Sequence, residues 1–284
     1  MATKKPAGST TTALANWDAE MAKYAAAAAK TQESIAGGQF FSVRGGQLSF
    51  NDAPFANNEM AVIILDSILE NNFYTTKFDP ENPVPPDCFA FGRDPKEMAP
   101  HEVVVTPQHD RCAGCPMNEF GTADTGRGKA CANRQRIAMI SGGRLDGGKF
   151  TATEAEDELM ATAMAYLRLS VTSMRGYATY VKQLAGSLHR PPFMVYTKVK
   201  VVPDPAKQFV VTFEALGLVP APLFATLLKR HEQAEAEIAF PYLPLEEAAV
   251  TPARAAKGAP ARSPVARKGA AAKKAPTAAR RAKF

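Results

Sequence analysis

The sequence predicts a mainly β fold with added α-helices, in the form of an antiparallel barrel or sandwich. Three observations carry this. Runs of β-branched and aromatic residues outnumber the helical stretches. Several runs are long and joined by short turns rich in Gly, Asn or Pro. No internal repeat with a period of about 20–50 residues interrupts them.

The elements follow in order. Asn16 caps a helix over "WDAEMAKYAAAAAKTQESI", which Gly37 and Gly38 close. "FFSVRGGQLSF", Phe40 to Phe50, is a hairpin turning at Gly45-Gly46. "MAVIILDSILENNFYTTKF" reads as two strands with a turn at Asn71-Asn72, and "PENPVPPDC" breaks the chain after it. "ANRQRIAMI" is a strand and "GGRLDGG" a loop. "ATAMAYLRLSV" fits helix or strand equally. In "SMRGYATYVKQLAG", Tyr177, Val181 and Leu184 recur at helical spacing and Gly186 stops the helix. "FMVYTKVKVV" and "KQFVVTFEAL" are strands around Pro203-Asp204-Pro205, and "PAPLFATLLKRHEQAEAEI" ends the folded part as an amphipathic helix.

With 284 residues and 46% hydrophobic content, one large domain or two small ones can form. No apolar run reaches about 18 residues, so a transmembrane helix is not expected. The N-terminus has lysines but no apolar h-region, which makes an intracellular location the expectation. The net charge of +6 is unevenly placed. Residues 250–284 hold ten Lys or Arg and no acid, leaving 24 basic against 28 acidic residues before them, a net −4. After Thr251 the only large aliphatic residue is Val265, so this Ala-, Lys- and Pro-rich tail is expected to be disordered and to attract phosphates without sequence preference.

Four cysteines, Cys88, Cys112, Cys115 and Cys131, form the pattern C-x23-C-x2-C-x15-C. In a reducing compartment such a set favours a metal over two disulfides. A C-x2-C turn brings two thiolates to one ion, and zinc asks for four soft ligands at tetrahedral positions. The expectation is a structural Zn2+ on all four, with a set using His109 and three cysteines, or an iron–sulfur cluster, still open. "GTADTGRGKA" is not a P-loop: Arg127 stands where Lys is required, and Ala130 follows Lys129 where a hydroxyl would hold magnesium. There is no G-x-S-x-G, no H-E-x-x-H and no carboxylate pair, so no catalysis is expected.

Basic and aromatic residues are interleaved instead. Phe73, Tyr74 and Lys77 come first; then Arg111, Arg127, Lys129, Arg134 and Arg136, with Phe120 among them; then Tyr166, Arg168 and Tyr177. Aromatic faces stack on unpaired bases while nearby cations track the phosphates. Tyr196, Lys198 and Lys200 alternate with Val195, Thr197 and Val199, which places one aromatic and two cations on one strand face. These residues are the candidate nucleic-acid-binding set.

A β-rich body with "PPDCFAFG" and "CAGCPMNEFGTADTGRGKAC" resembles phage-type single-stranded DNA-binding (helix-destabilising) proteins that carry a zinc-binding subdomain. The resemblance covers about residues 40–240. It implies an OB-like antiparallel barrel with an inserted zinc-binding subdomain. It further implies a noncatalytic protein that coats and protects unpaired strands during DNA replication, recombination and repair. The partners implied are single-stranded DNA (with RNA open at this point), a polymerase or primase, and further copies along the strand. A phage-encoded chain would act in the host cytoplasm. The basic tail departs from the family's acidic one, so tail-mediated autoinhibition is not carried over. The expected division is an N-terminal arm and helix (1–38), a core (39–245) with the cysteine insertion (85–136), and the tail (246–284). The alternative function is a basic-tailed DNA-packaging or virion protein with an architectural zinc.

Overall fold

A computed structural model describes residues 40–76, 84–124 and 126–242, together with Met21. The helix expected after Asn16, Lys77 and the basic tail lie outside the described residues.

The centre is an antiparallel six-stranded sheet. Its spine is β4 (Glu59–Phe73), an unbroken 15-residue strand. The turn expected at Asn71-Asn72 does not form. Both asparagines are buried, and their amides bond within the sheet: Asn133 Nδ2 donates to Asn71 Oδ1 at 2.7 Å, and Asn72 Nδ2 donates to Glu70 Oε1 at 3.3 Å. An amide with a partner inside a sheet has no reason to turn toward water.

One edge of β4 pairs with β6 (Ala132–Ser141). The other edge is shared: β10 (Val195–Asp204) takes Glu59 to Ile63, and β5 (Cys88–Gly92) takes Leu69 to Phe73. Beyond these, β9 (Ala165–Ser170) pairs with β6, and β11 (Gln208–Leu218) pairs with β10. The "AYLRLS" run is thus a strand. Three minor strands, β1 (Phe41–Ser42), β2 (Ser49–Phe50) and β3 (Ala53–Pro54), include the hairpin expected at Gly45-Gly46. The "GGRLDGG" segment, expected as a loop, is a second hairpin of β7 (Gly143–Asp146) and β8 (Lys149–Ala152), turning at Gly147-Gly148 with φ of 57° and 85°. At Gly143 only glycine fits: φ is 143° and an added Cβ would lie 2.1 Å from the Thr151 carbonyl oxygen.

The sheet is covered on both faces. On one face Val62, Ile64, Met139, Leu167 and Val199 pack beneath α2 (Val171–Gln183) through Tyr177 and Tyr180. On the other, Ile63, Leu65, Ile140 and Tyr166 pack beneath α3 (Phe224–Glu237) and the short α1 (Glu156–Ala161) through Leu227, Ala234 and Leu159. The helix of "SMRGYATYVKQLAG" does not stop at Gly186. It widens into a π turn, Leu184–Leu188, and ends at His189 with φ 51°.

The mainly β, antiparallel character with added helices therefore stands. Among the described residues the sheet does not close, because β11 and β9 are its two ends. No described helix is long and apolar enough to cross a membrane.

Candidate nucleic-acid interface

The cysteine segment folds as a stack of tight turns between β5 and β6. Cys112 N–H donates to the Met98 carbonyl at 2.9 Å, and Cys131 N–H to the Met117 carbonyl at 2.7 Å. Gly114, at φ 82°, lets the chain reverse between Cys112 and Cys115. All four thiols, with Asn71, Phe73 and His109, line one cavity of about 20 Å³, too small for an organic ligand.

The expected zinc is overturned. No group of three or more His, Cys, Asp or Glu side chains among the described residues is placed to hold a metal ion. Four thiols suit a soft metal chemically, and two of them have hydrogen bonds of their own. Cys88 has a hydrogen bond to the Gln108 backbone and Cys112 one to the Asn71 side chain. The set using His109 and three cysteines falls on the same ground, since no such group of His and Cys is found among the described residues. Burial raises the thiols of Cys88, Cys112 and Cys131, the last to about 12 with neighbouring thiols contributing. The segment's cohesion comes instead from hydrogen bonds.

Those bonds build an arm. Asn118 Nδ2 donates to the Cys112 carbonyl at 2.9 Å, and Asn118 Oδ1 accepts from Asn133 Nδ2 at 3.0 Å and from Lys129 Nζ at 3.2 Å. Thr122 Oγ1 donates to the Glu119 carbonyl and accepts the Ala130 N–H. The arm thus holds the Lys129 ammonium 5.0 Å from the centre of the Phe120 ring, which is 82% exposed.

The arm forms one wall of a groove of about 940 Å³. Arg44, Lys129, Arg134 and Arg168 line it, together with Phe40, Phe41, Phe120 and Phe209. Among the described residues no Asp or Glu lines it. Ser170, Val171 and Thr172, at the start of α2, also face it, and that helix end carries no side-chain cap. Its first-turn N–H groups therefore add positive potential.

The groove gathers three of the expected residues, Lys129, Arg134 and Arg168. Tyr74 borders them: it is 39% exposed, and its hydroxyl, raised by burial, feels the charges of Arg168 and Arg134. Arg127 is exposed on the arm, and Arg111 is exposed and 3.6 Å from Glu97.

The remaining candidates lie elsewhere. Arg136 is fully buried, bonded by its Nε to Glu70 at 2.8 Å and by its Nη1 to the carbonyls of Ile238 and Phe240. Phe73, Tyr166, Tyr177 and Tyr196 are core residues. Lys198 and Lys200 are neutralised by cross-strand carboxylates, Glu214 at 2.5 Å and Glu59 at 2.9 Å. Their strand face is not a binding face, because the sheet is buried on both sides. Arg44, Phe40, Phe41 and Phe209 are not among the residues the sequence singles out. They converge only through pairing of segments far apart in sequence, and no local spacing announces that.

The chain matches no protein-family model, no curated protein and no solved structure.

Proposed function

We propose that this chain is a noncatalytic single-stranded DNA-binding protein that coats unpaired strands in replication, recombination and repair. One observation carries the reading: four cations and four phenylalanines line a single groove that no carboxylate of the described residues enters. Cations there meet phosphates, and Phe120, exposed beside Lys129, offers a stacking face for an unpaired base. A duplex hides the faces of its bases, so an aromatic groove favours single strands. The resemblance to phage-type helix-destabilising proteins points the same way. The sheet would serve as an open, OB-like platform for the groove, and the arm would take the place the family gives to a metal subdomain. The basic tail would add attraction without strand preference.

Fluorescence anisotropy with labelled single- and double-stranded oligonucleotides at matched salt tests this. The single strand binds more tightly, and its affinity falls with salt by a log–log slope of about −0.7 per phosphate contacted. Lys129→Ala with Arg134→Ala weakens single-strand binding and flattens that slope. Equal affinity for both forms would favour a DNA-packaging or virion role. An RNA oligonucleotide in the same assay separates DNA from RNA preference.

A further inference from the structure

We infer that the bound strand continues past the groove into a second subsite, where Arg175 and Lys207 hold further phosphates of the same strand. This rests on the single-strand reading above. A second cavity, of about 410 Å³, lies between α2 and the β10–β11 hairpin. It shares Thr172 and Val211 with the groove, so the two surfaces are continuous. Thr172, Arg175, Thr179 and Gln183 recur at three- and four-residue spacing, which makes one polar stripe along α2. On the other side of the helix Tyr177 is buried against the sheet, and Tyr180, buried between the two sides, borders the cavity.

The hairpin supplies the other cation. Asp204 is the one carboxylate in this cavity, and its Oδ1 already accepts the N–H groups of Ala206 and Lys207 at 2.9 and 2.8 Å. The same contact fixes the turn that presents Lys207. Arg175 and Lys207 are both exposed, and the ion pairs among the described residues involve neither. The aromatics here, Tyr180 and Phe213, stack on each other rather than facing outward. The subsite therefore offers guanidinium, ammonium, hydroxyl and amide donors, but no free ring. Such donors suit phosphate and sugar oxygens and fix the strand's path without reading bases. The path ends beyond it. The next depression, lined by Leu184, Leu188 and Glu214, holds no Lys or Arg.

The test is anisotropy of the full chain with oligothymidylates graded from about 4 to 16 nucleotides, a span typical of single-strand sites. Wild-type affinity rises as the oligonucleotide becomes long enough to leave the groove. Arg175→Ala with Lys207→Ala leaves the shortest bound oligonucleotide unaffected. For the longest it lowers affinity about tenfold at low salt and reduces the salt slope by about 1.4, the value for two phosphates. Arg175→Lys keeps long-strand binding. A double variant that matches wild type at every length, or that loses short and long strands equally, overturns the subsite. If no oligonucleotide of any length binds the wild-type chain, the groove reading itself fails.

Discussion

Arg136 shows how far a charged residue can lie from the surface its sequence context suggests. Register places it directly opposite Arg168, a like-charge pair that is unfavourable by itself. Glu70 resolves it, lying 2.8 Å from Arg136 Nε and 3.1 Å from Arg168 Nε, with Tyr242 donating to the same carboxylate. The rings of Phe240 and Phe91 cover the Arg136 guanidinium at 4.2 and 4.4 Å. One carboxylate shared by two guanidiniums leaves an excess positive charge, and Arg168, the more exposed arginine, turns it toward the groove. Removing Arg136 takes the closer guanidinium from buried Glu70 and leaves the Ile238 and Phe240 carbonyls without their donor, so Arg136→Met costs about 3 kcal/mol in urea unfolding. Burial alone would raise the Glu70 carboxyl, but the Arg136 hydrogen bond and the charges of Arg168 and Arg136 hold it below its ordinary 4.5. The stability this adds is present above pH 4.5 and is lost as pH falls through the depressed value. Stability measured from about pH 3 to 7 declines at the acid end, and Glu70→Gln flattens that decline.

At the scale of the element, legibility followed local pattern. β10, β11 and α3 announce themselves through β-branched runs and amphipathic spacing, and they fold as read. β4 was divided in two because Asn-Asn reads as a turn, while its pairing with β5 and β6 keeps both residues in the sheet. The Tyr196-Lys198-Lys200 alternation is real, but alternation implies a wet face only where nothing covers it. The arm between Cys112 and Cys131 was legible as a unit, though its cysteines suggested a metal where Asn118 and Thr122 supply the bonds. Because Phe120 contributes little to packing at 82% exposure, its loss separates binding from folding. Phe120→Ala lowers single-strand affinity by about 1–3 kcal/mol, the worth of one base stack. The melting temperature of the variant stays at the wild-type value, and a drop in both would give the ring a structural role instead.

For the whole molecule, what sequence could not supply was coverage: which faces of the sheet are dry, and which distant segments meet. Arg44, Lys129, Arg134 and Arg168 come from four separate segments and become one site only when the sheet is assembled. Charge, by contrast, was fully legible, with a body of −4 and a tail holding ten cations. On the proposed reading the two would attract nucleic acid differently. Counterion release is steeper on a duplex, about −0.9 per phosphate against −0.7 on a single strand, so a bare basic segment leans toward duplex. On the proposed reading, discrimination in favour of single strands would therefore belong to the groove. Truncation after Ala249 changes the net charge from +6 to −4. Both affinities fall, but the duplex affinity falls further, so the ratio of single- to double-strand binding rises. Anisotropy on the truncated chain at two salt concentrations reads that ratio directly. A truncated chain that binds neither form would assign all binding to residues 250–284 and leave the groove without a role.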